Sequence, residues 1–571
     1  MLKTYSQKVY LLIFFAAIAK IIAAPFLELG NDEVYYWTYA LQLDFNHFDH
    51  PPLVGFLIRA STLNMHWVSE LSMRLGAIIS ASIGCYLVFK TTAHLSNERA
   101  GFYAALLYQA GVYTGFIAGF FILPDSAQLI FWTASLYVMS LLLFANPKKQ
   151  IGYWILLGLL VGLATLSKVH GLFLWAGVGA FLLFTNYKRL FSGGFILAVF
   201  VTLLCMVPIV YWNISYDFIT YRFHSERVTH TGINIASFIT EIGGEFLYQN
   251  PLVYILMIAS IMAYKNISFQ HKNIGRWLLW MSLPLIFIFW MVALFNPTLP
   301  HWSGPAFIPL MILAGIYIDQ KKQNWPVYFV RTALALVFTI LLVLVVIVQK
   351  YPGNFGSQQK NNLGEYCPTL DLSGWKDFSA SFKTIAAQDQ SNHVMGKAPS
   401  IIIGKWFPAG HLEFYTARTT GLPLIGVGPL QDIHKFAWLN NERPALALGA
   451  DAYCIVPSNV PFDVAIAYGA YFKTIDAPQI INQVRGGVVG RLVQIKGMVT
   501  RVSNVKPLCT VACYSCDSCG NEVFQEITSE VWMPLQVCPS EQCKTNNIKG
   551  TLFLQTRGCK FLKFQKVKLQ E

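Results

Sequence analysis

Acidic and basic side chains recur in short polar segments between long apolar runs. Asp32 and Glu33 lie in LGNDEVYYW, Asp49 and His50 lie in HFDHPPL, and Arg59 follows in the next segment. A carboxylate can take a proton from an attacking hydroxyl group. A nearby cation can neutralise a departing phosphate, as fixed charge does in other transfer reactions. This combination indicates a transfer reaction with an anionic substrate.

Further candidates occur in later segments of the same kind. They are Asp125 in FILPDSAQL, Lys168 and His170 in LSKVHGL, Arg222 and His224 in a long polar stretch, and His301 in LPHWSGP.

Each candidate has a purely structural alternative. Asp125 could cap the helix that follows it, Lys168 could reach from a helix end towards the membrane interface, and His301 beside Trp302 could be an interfacial anchor. Asp32 and Glu33 could be solvated loop acids. A transporter would place such groups near the bilayer midplane or on broken helices. Because acids and bases meet at successive predicted helix ends on one face, a shared site is favoured.

A second chemical group lies near the end of the chain. Cys516, Cys519, Cys538 and Cys543 form a CxxC followed by a CxxxxC. Two disulfides are the alternative, which a location outside the cytoplasm would favour. Paired short spacings suit tetrahedral thiolate ligation, so the pattern favours a zinc ribbon.

The amino-acid composition indicates the kind of structure that holds these groups in place. The chain has 571 residues, of which 55% are hydrophobic and 12% are charged, and its mean hydropathy is +0.47. Soluble proteins carry about 25% charged residues. The apolar residues form long runs rather than periodic stripes, which indicates a bilayer environment and not a water-soluble core.

Eleven runs are predicted to be transmembrane helices. They cover 9–27, 72–92, 100–122, 127–145, 152–166, 169–186, 192–212, 250–264, 277–295, 304–318 and 328–349. The first run could be a cleaved signal peptide. Lys20 interrupts it and candidate chemistry follows directly, so an uncleaved helix is predicted.

The charges predict an orientation. Lys8, the pair Lys188 and Arg189, and the pair Lys321 and Lys322 fall in alternate loops. Positive loops stay in the cytoplasm. A bacterial-type inner or plasma membrane protein with a cytoplasmic N-terminus is therefore predicted. Its 28–71 and 213–249 loops, and everything after residue 349, lie outside the cytoplasm.

Residues 350–484 lose the membrane composition. PSIIIG, LPLIGVG and DAYCIVP are short β-rich runs separated by Gly, Pro and helix-forming stretches. This pattern predicts a small α/β domain on the outer face.

Five motifs carry a family resemblance. NDEVYYW, HFDHPPL, LPDSAQLIFW, GLLVGLATLSKVHGL and PHWSGPAF resemble the successive motifs of bacterial protein-mannosyltransferase-like (PMT-type) enzymes of the GT-C fold, related to aminoarabinose transferases. The resemblance covers residues 5–480. It implies sugar transfer from a polyprenyl-phosphate carrier to a lipid, glycan or protein acceptor, through an oxocarbenium-like transition state.

The resemblance also implies roles for the candidates. Asp32 would be the catalytic base with Glu33 supporting it, Asp125 would orient a substrate, and Lys168 would hold the donor phosphate. Substrate-binding positions are expected at His50, Arg59, His170, Arg222, His224 and His301. The sequence leaves the acceptor, the sugar and a divalent cation at this site open.

The last segment, 485–571, resembles a different family from the membrane part. GRLVQIKGMVTRVSNVKPL, the cysteine stretch and LFLQTRGCKFLKFQKVKLQE resemble the OB-fold and zinc-ribbon region of minichromosome maintenance (MCM) helicase subunits, closest to the seventh. Twelve Lys and Arg against six Asp and Glu suit phosphate contacts. DNA or MCM-ring partners are thus implied, but the sequence contains no GxxxxGK[ST], which excludes helicase activity.

Two hypotheses follow. One is a membrane glycosyltransferase fused, as a real fusion or an assembly artefact, to an OB fragment; the other is a DNA-binding module behind a membrane anchor. The first explains most of the chain and the ordered polar residues. It predicts that the tail packs little against residues 1–480.

Overall fold

The structure is a computed structural model in which most of the chain is described. It describes residues 4–145, 147–148, 150–226, 232–351, 353–359, 362–396, 399–484, 488–496, 499–502, 506–527, 534–546, 549–564 and 567–569.

The described residues among the first 350 form seventeen α-helices. They are α1 Tyr5–Ala23, α2 Asn31–Leu41, α3 Leu53–Ser61, α4 Glu70–Leu95, α5 Glu98–Ala110, α6 Ala118–Phe120, α7 Pro124–Phe144, α8 Gln150–Ser167, α9 Phe173–Asn186, α10 Gly193–Ser215, α11 Ile219–Glu226, α12 Ile235–Tyr248, α13 Pro251–Met262, α14 Ile274–Trp280, α15 Leu283–Ala293, α16 Ile308–Gln320 and α17 Trp325–Lys350.

All eleven predicted membrane runs contain helix, but not all are single long helices. Eight helical segments of the described chain are long and apolar enough to span a membrane. A ninth span is possible where α12 and α13 meet at 101°. The run at 100–122 is interrupted by a π-helix at Val112–Ile117, and the apolar helix Gly304–Gln320 is shorter than a span. The chain is a multi-pass membrane protein.

The bend between α12 and α13 is held by one asparagine. Asn250 has φ 66°, in the left-handed region that asparagine tolerates better than most residues. Its Nδ2 donates to the carbonyl oxygens of Ala110 at 2.9 Å and Ala333 at 3.0 Å. Its Oδ1 accepts from the backbone N–H of Leu252 at 3.2 Å and so caps α13. The bend therefore ties three parts of the bundle together.

Short helices and parallel strands follow the membrane part. The helices are α18 Trp375–Ser391, α19 Trp406–His411, α20 Arg418–Thr420, α21 Leu430–Ile433, α22 Phe436–Leu439 and α23 Val464–Tyr468. The strands are β1 Ser400–Ile403, β2 Leu424–Gly426 and β3 Ala452–Pro457, with β1 central and parallel to both neighbours. This is the α/β arrangement predicted for the segment.

Two loop residues of the membrane part fix this domain over the bundle. The Glu28 carboxylate accepts from the backbone N–H groups of Trp375 at 2.7 Å and Lys376 at 3.2 Å, at the start of α18. The Tyr415 hydroxyl accepts from the N–H of Leu29 at 2.7 Å. Because α2 begins directly after this loop, the outer domain also fixes where α2 starts.

The remaining strands belong to the tail and to its junction. They are β4 Thr474–Ile475, β5 Gln479–Val484, β6 Val488–Lys496, β7 Val499–Val502, β8 Lys506–Cys516, β9 Glu522–Glu526, β10 Leu552–Leu554, β11 Lys560–Phe564 and β12 Val567–Leu569, with α24 Glu541–Thr545 between β9 and β10. In the described part of the tail they form separate sheets: β8 pairs with β9, β10 and β11, and β7 pairs with β12.

The junction differs from the prediction of little packing. Strand β6 pairs antiparallel with β3 over the whole of Ala452–Pro457, and β4 and β5 pair with β6. The physical reason is that β3 would otherwise leave an edge of unpaired backbone groups, which favours pairing with any available strand. The predicted boundary at residue 485 lies outside the described residues, and strands on both sides of it share one sheet.

Candidate active site and metal centre

A cavity of about 850 Å³ lies between the bundle and the outer domain. It brings together candidates from distant parts of the sequence. Its lining includes Asp32, Glu33, Asp49, His50, Asp125, Lys168, His170, His224 and His301, together with Asp371, Trp406 and His434 of the outer domain. The hypothesis of one shared site therefore agrees with the structure for nine of the sequence candidates.

Asp32 lies in the first turn of α2 and points its carboxylate into this cavity. The side chain is open to the cavity although it lies deep below the protein surface. Among the residues that the structure describes, none donates a hydrogen bond to it. Burial raises the pKa of Asp32 to about 6, with further contributions from the charges of Asp49, Glu33 and Asp125, while Lys168 lowers it. The group is a free carboxylate at neutral pH.

Glu33, its neighbour, is engaged completely. Arg74 of α4 binds it through Nη2 to Oε2 at 2.6 Å and Nε to Oε1 at 2.9 Å. The backbone N–H groups of Gly30 and Ile122 donate to the same two oxygens at 2.9 and 3.2 Å. Four donors hold this carboxylate, so its geometry suits positioning of α2 better than proton transfer.

Asp125 and Lys168 form a buried pair. The Lys168 Nζ donates to both Asp125 carboxylate oxygens at 2.9 Å, and the Tyr113 hydroxyl donates to Oδ1 at 2.8 Å. Both side chains are 4% exposed. The cap of α7 is Leu123, so the capping alternative for Asp125 is wrong. The burial of Lys168 likewise contradicts the alternative that its ammonium reaches for the interface.

Asp49 is held by two tyrosine hydroxyls. Tyr35 donates to its Oδ1 at 2.8 Å, and Tyr39 donates to the same oxygen. Burial by itself would raise the pKa of Asp49, but His50 and the hydroxyls outweigh it and lower the pKa below its usual value. His224 Nε2 lies 2.8 Å from the Asp49 carbonyl oxygen, which brings the 213–249 loop to the cavity.

Two of the cavity histidines, His50 and His301, are uncharged at neutral pH. Burial lowers the pKa of His50 and that of His301 to about 4 in each case. They can accept or donate hydrogen bonds, but they supply no positive charge to a phosphate.

Two predicted binding residues lie elsewhere. Arg59 donates from Nε to the Ala40 carbonyl at 2.7 Å and from Nη2 to the Leu41 carbonyl at 3.2 Å. It thus satisfies carbonyl groups at the end of α2, which have no intrahelical partner. The Arg222 side chain is 61% exposed and faces Asp217. Neither residue lines the cavity. Arg59 binds the backbone at the end of α2, and Arg222 pairs with Asp217 instead.

The sequence interpretation missed two residues that matter here. Arg74 had a usable signal, since an arginine inside an apolar helix is costly unless it is paired. Asp371, in a 3-10 turn at Leu370–Leu372, had none, because only the docking of the outer domain brings it to the cavity.

The four tail cysteines converge. Their sulfur atoms all lie within 4.8 Å of one another, with Cys516 to Cys543 at 3.8 Å and Cys519 to Cys538 at 3.7 Å. Zn–S bonds of about 2.3 Å at tetrahedral angles require S···S distances close to these, whereas a disulfide requires about 2.05 Å. The four sulfur atoms could therefore hold a metal ion, and the two closest pairs are too far apart to be disulfides.

Gly550 lies directly against the four-cysteine cluster. A Cβ atom there would lie 2.5 Å from the Cys516 sulfur and 3.1 Å from the Cys543 sulfur. Its carbonyl accepts from the Cys538 N–H at 3.2 Å. A side chain at this position would occupy space between the ligands.

Comparison with known proteins agrees with this geometry in the membrane part. Residues 49–212 match the family model described as dolichyl-phosphate-mannose-protein mannosyltransferase. The structure of ArnT from Cupriavidus metallidurans bound to undecaprenyl phosphate superposes with a TM-score of 0.57 at 14% identity, covering 85% of this chain and 98% of that one. The membrane part has the GT-C fold. The fold predicted from the five motifs is confirmed.

One curated relative extends the similarity in sequence. Lipid A galacturonosyltransferase RgtD from Rhizobium johnstonii is 25% identical over 304 residues, which are 52% of this chain and 61% of the relative. The GT-C part thus spans less than two thirds of that protein.

The tail has different relatives. Residues 480–571 match the MCM OB domain. DNA replication licensing factor MCM7 from Oryza sativa subsp. indica is 50% identical over 114 residues, and that of Arabidopsis thaliana is 47% identical over the same length. The chain spans only 16% of either protein. The resemblance of the tail to the seventh MCM subunit is confirmed as a similarity of one segment.

Proposed function

We propose that the membrane part transfers a sugar from a polyprenyl-phosphate carrier to a lipid, glycan or protein acceptor. The observation that carries this proposal is the free Asp32 carboxylate in one cavity with the Lys168 ammonium. The solved GT-C structure that binds undecaprenyl phosphate supports the choice of carrier. The loop charges support a cavity on the outer side of a bacterial-type membrane and an N-terminus in the cytoplasm.

The chemistry assigns a role to each group. The acceptor oxygen attacks the anomeric carbon as the bond from that carbon to the phosphate oxygen breaks. Asp32 takes the acceptor proton, and the departing phosphate keeps the bonding electron pair. Lys168 carries three N–H donors and spends two on Asp125. The third N–H of Lys168 remains available to a phosphate oxygen. The role proposed for Asp125 is to orient the Lys168 ammonium towards that oxygen.

We expect replacement of Lys168 by Met to weaken binding of undecaprenyl phosphate roughly 10- to 100-fold, the worth of one hydrogen bond to a charged group. Binding is measured on the purified protein in detergent. The substitution alone leaves Asp125 buried and unpaired, so the double variant Lys168→Met with Asp125→Asn is the matched control for folding. Unchanged affinity in both variants would remove Lys168 from the donor site.

The pKa of Asp32 predicts a pH dependence of transfer. The base must be deprotonated, and its pKa is raised to about 6. We therefore expect kcat/KM to fall about tenfold per pH unit below pH 6 and to be level just above it. The assay uses a polyprenyl-phosphate-linked galacturonic acid donor and lipid A, the substrates suggested by the relative RgtD. If kcat/KM instead begins to fall only near pH 4, the base is a carboxylate in an ordinary aqueous environment.

For the tail we propose a structural zinc ion held by Cys516, Cys519, Cys538 and Cys543. Bound zinc would close the ribbon and stabilise it. We expect one equivalent of zinc in the full-length protein, measured by atomic absorption, and its loss in the Cys516→Ser and Gly550→Leu variants. Cys513→Ser, outside the cluster, is the control that should retain zinc. One equivalent in all variants would place the ion elsewhere.

DNA and MCM-ring partners remain predictions for the tail. The proposed outer location of residues after 349 argues against contact with chromosomal DNA, so the tail is assigned no role in sugar transfer.

A further inference from the structure

Helix α12 is largely apolar but carries two glutamates that the proposed mechanism does not use. Glu241 and Glu245 are one turn apart, and both are fully buried. With Gly244 and Tyr248 they occupy positions i, i+3, i+4 and i+7, which form one face of a helix. A buried carboxylate is costly unless hydrogen-bond donors satisfy it. This face of α12 therefore requires polar partners from a neighbouring part of the chain.

The partners come from the 296–303 loop, which leads from α15 towards α16. Thr298 Oγ1 donates a hydrogen bond to Glu241 Oε2 at 2.7 Å. Ser303 Oγ donates one to Glu245 Oε1 at 2.6 Å. The two carboxylates thus hold the loop near both of its ends.

Gly244 allows the middle of the loop to lie directly on α12. A Cβ atom at this position would overlap Pro300 Cγ and lie 2.8 Å from Pro300 Cβ. An alanine there would therefore force the loop to move. The Trp290 indole of α15 donates from Nε1 to Glu245 Oε2 at 2.7 Å, so the helix from which the loop starts is fixed to the same face of α12.

This loop carries two residues of the cavity. His301 and Trp302 line the cavity, as does Tyr248 at the end of α12. The rings of Tyr248 and His301 stack with a centroid distance of 6.3 Å. Because His301 directly follows Pro300 and lies two residues before Ser303, a displacement of the loop from α12 would move the His301 imidazole within the cavity.

We propose that α12 sets the position of the His301 imidazole at the sugar-transfer site. Its positioning residues are Glu241, Gly244 and Glu245. This inference rests on the proposed function. The imidazole forms a hydrogen bond with a substrate in the cavity, and the fit of the loop on α12 determines whether the ring reaches that substrate. None of the three positioning residues lines the cavity, so each acts through the loop and not by contact with a substrate.

Two neighbouring glycines supply a matched pair of variants. Gly244→Ala places a Cβ atom against Pro300, whereas Gly243→Ala places one in open space on the same helix. Both substitutions raise helix propensity by the same amount. In the full-length protein, with polyprenyl-phosphate-linked galacturonic acid and lipid A as substrates, we expect Gly244→Ala to lower kcat/KM about three- to tenfold, the worth of one hydrogen bond. Gly243→Ala should stay within about twofold of wild type.

A double-mutant cycle separates positioning of His301 from a general loss of structure. His301→Ala should lower kcat/KM by a similar factor, and adding Gly244→Ala to it should cause no more than about a further twofold loss. Ser303→Ala removes one hydrogen bond to Glu245 without adding bulk. It should also lower kcat/KM, and this loss should likewise disappear in the His301→Ala background. The thermal unfolding midpoint in detergent shows which variants are folded.

Equal kcat/KM values in Gly244→Ala and Gly243→Ala would overturn the inference, because contact with Pro300 would then have no effect. An unchanged kcat/KM in His301→Ala would overturn it as well. So would a loss from Gly244→Ala that is as large in the His301→Ala background as in wild type. If Gly244→Ala does not fold, the same comparison with Ser303→Ala decides. A wild-type protein that neither binds undecaprenyl phosphate nor transfers sugar would instead refute the proposed function.

Discussion

Replacement of Asp32 by Asn should reduce kcat for sugar transfer roughly 10²- to 10⁴-fold, the usual effect of losing a general base. The substitution keeps the size of the side chain and removes its ability to accept a proton. Since no described residue donates a hydrogen bond to this carboxylate, the folded structure should be unaffected. Transfer from the polyprenyl-phosphate donor and the thermal unfolding midpoint in detergent are measured together.

The matched control is Asp49→Asn in the same cavity. Asp49 already accepts hydrogen bonds from Tyr35 and Tyr39, so it is poorly placed to take a further proton. We expect a smaller loss of rate and a larger change in stability than for Asp32→Asn. A normal rate in Asp32→Asn would show that another group is the base.

The Glu33→Ala variant should be strongly destabilised, by about 3–5 kcal/mol, because it leaves the Arg74 guanidinium buried without its charge partner. Both side chains are almost fully buried, at 2% and 0% exposure. Arg74 also donates to the carbonyl groups of Ala24, Leu27 and Glu28. The pair therefore joins the end of α1, the start of α2 and α4. Folded yield and thermal midpoint in detergent are the measurements.

Asp319→Ala is the matched control for this prediction. Asp319 pairs with Arg99 at 2.9 Å, but the arginine side chain is 48% exposed. Ion pairs with an exposed partner contribute about 0–1 kcal/mol, so this variant should unfold close to wild type. Equal shifts in the two variants would mean that burial of the Glu33–Arg74 pair has no special effect.

The two predictions separate the roles of adjacent acids. Asp32 and Glu33 are equivalent in sequence, since both open α2. In the structure one faces the cavity and the other faces Arg74. We therefore propose that Glu33 supports Asp32 only indirectly, by holding α2 in position.

Which charged side chains reach the cavity could also be determined only from the structure. The sequence predicted cations near the acids, but Lys168 is paired with Asp125, and Arg59 and Arg222 lie outside. His50 and His301 are neutral. Among the described residues that line the cavity, Lys168 is the one lysine or arginine, so the proposed donor site depends on the geometry of the Asp125–Lys168 pair.

Some features followed from the sequence alone because their causes are local. Long apolar runs require a bilayer, so the multi-pass membrane part was predictable. The CxxC and CxxxxC spacings bring thiolates together over a short stretch of chain, so the four-cysteine cluster was predictable as well. The grouping of Asp32, Asp125 and Lys168 was predictable because each lies at a helix end on the same predicted face.

Other features depended on tertiary structure because their causes are long-range. Arg74 of α4 binds Glu33 rather than Asp32 because the fold brings the Arg74 guanidinium to the Glu33 side of the first turn of α2. Asp371 reaches the cavity only because Glu28 and Tyr415 dock the outer domain over α2. Strand β6 joins β3 because an open sheet edge pairs with whatever strand lies beside it. The sequence alone therefore determined the membrane fold, the four-cysteine cluster and most of the residues around the cavity, whereas tertiary packing decided which acids are paired and which are not.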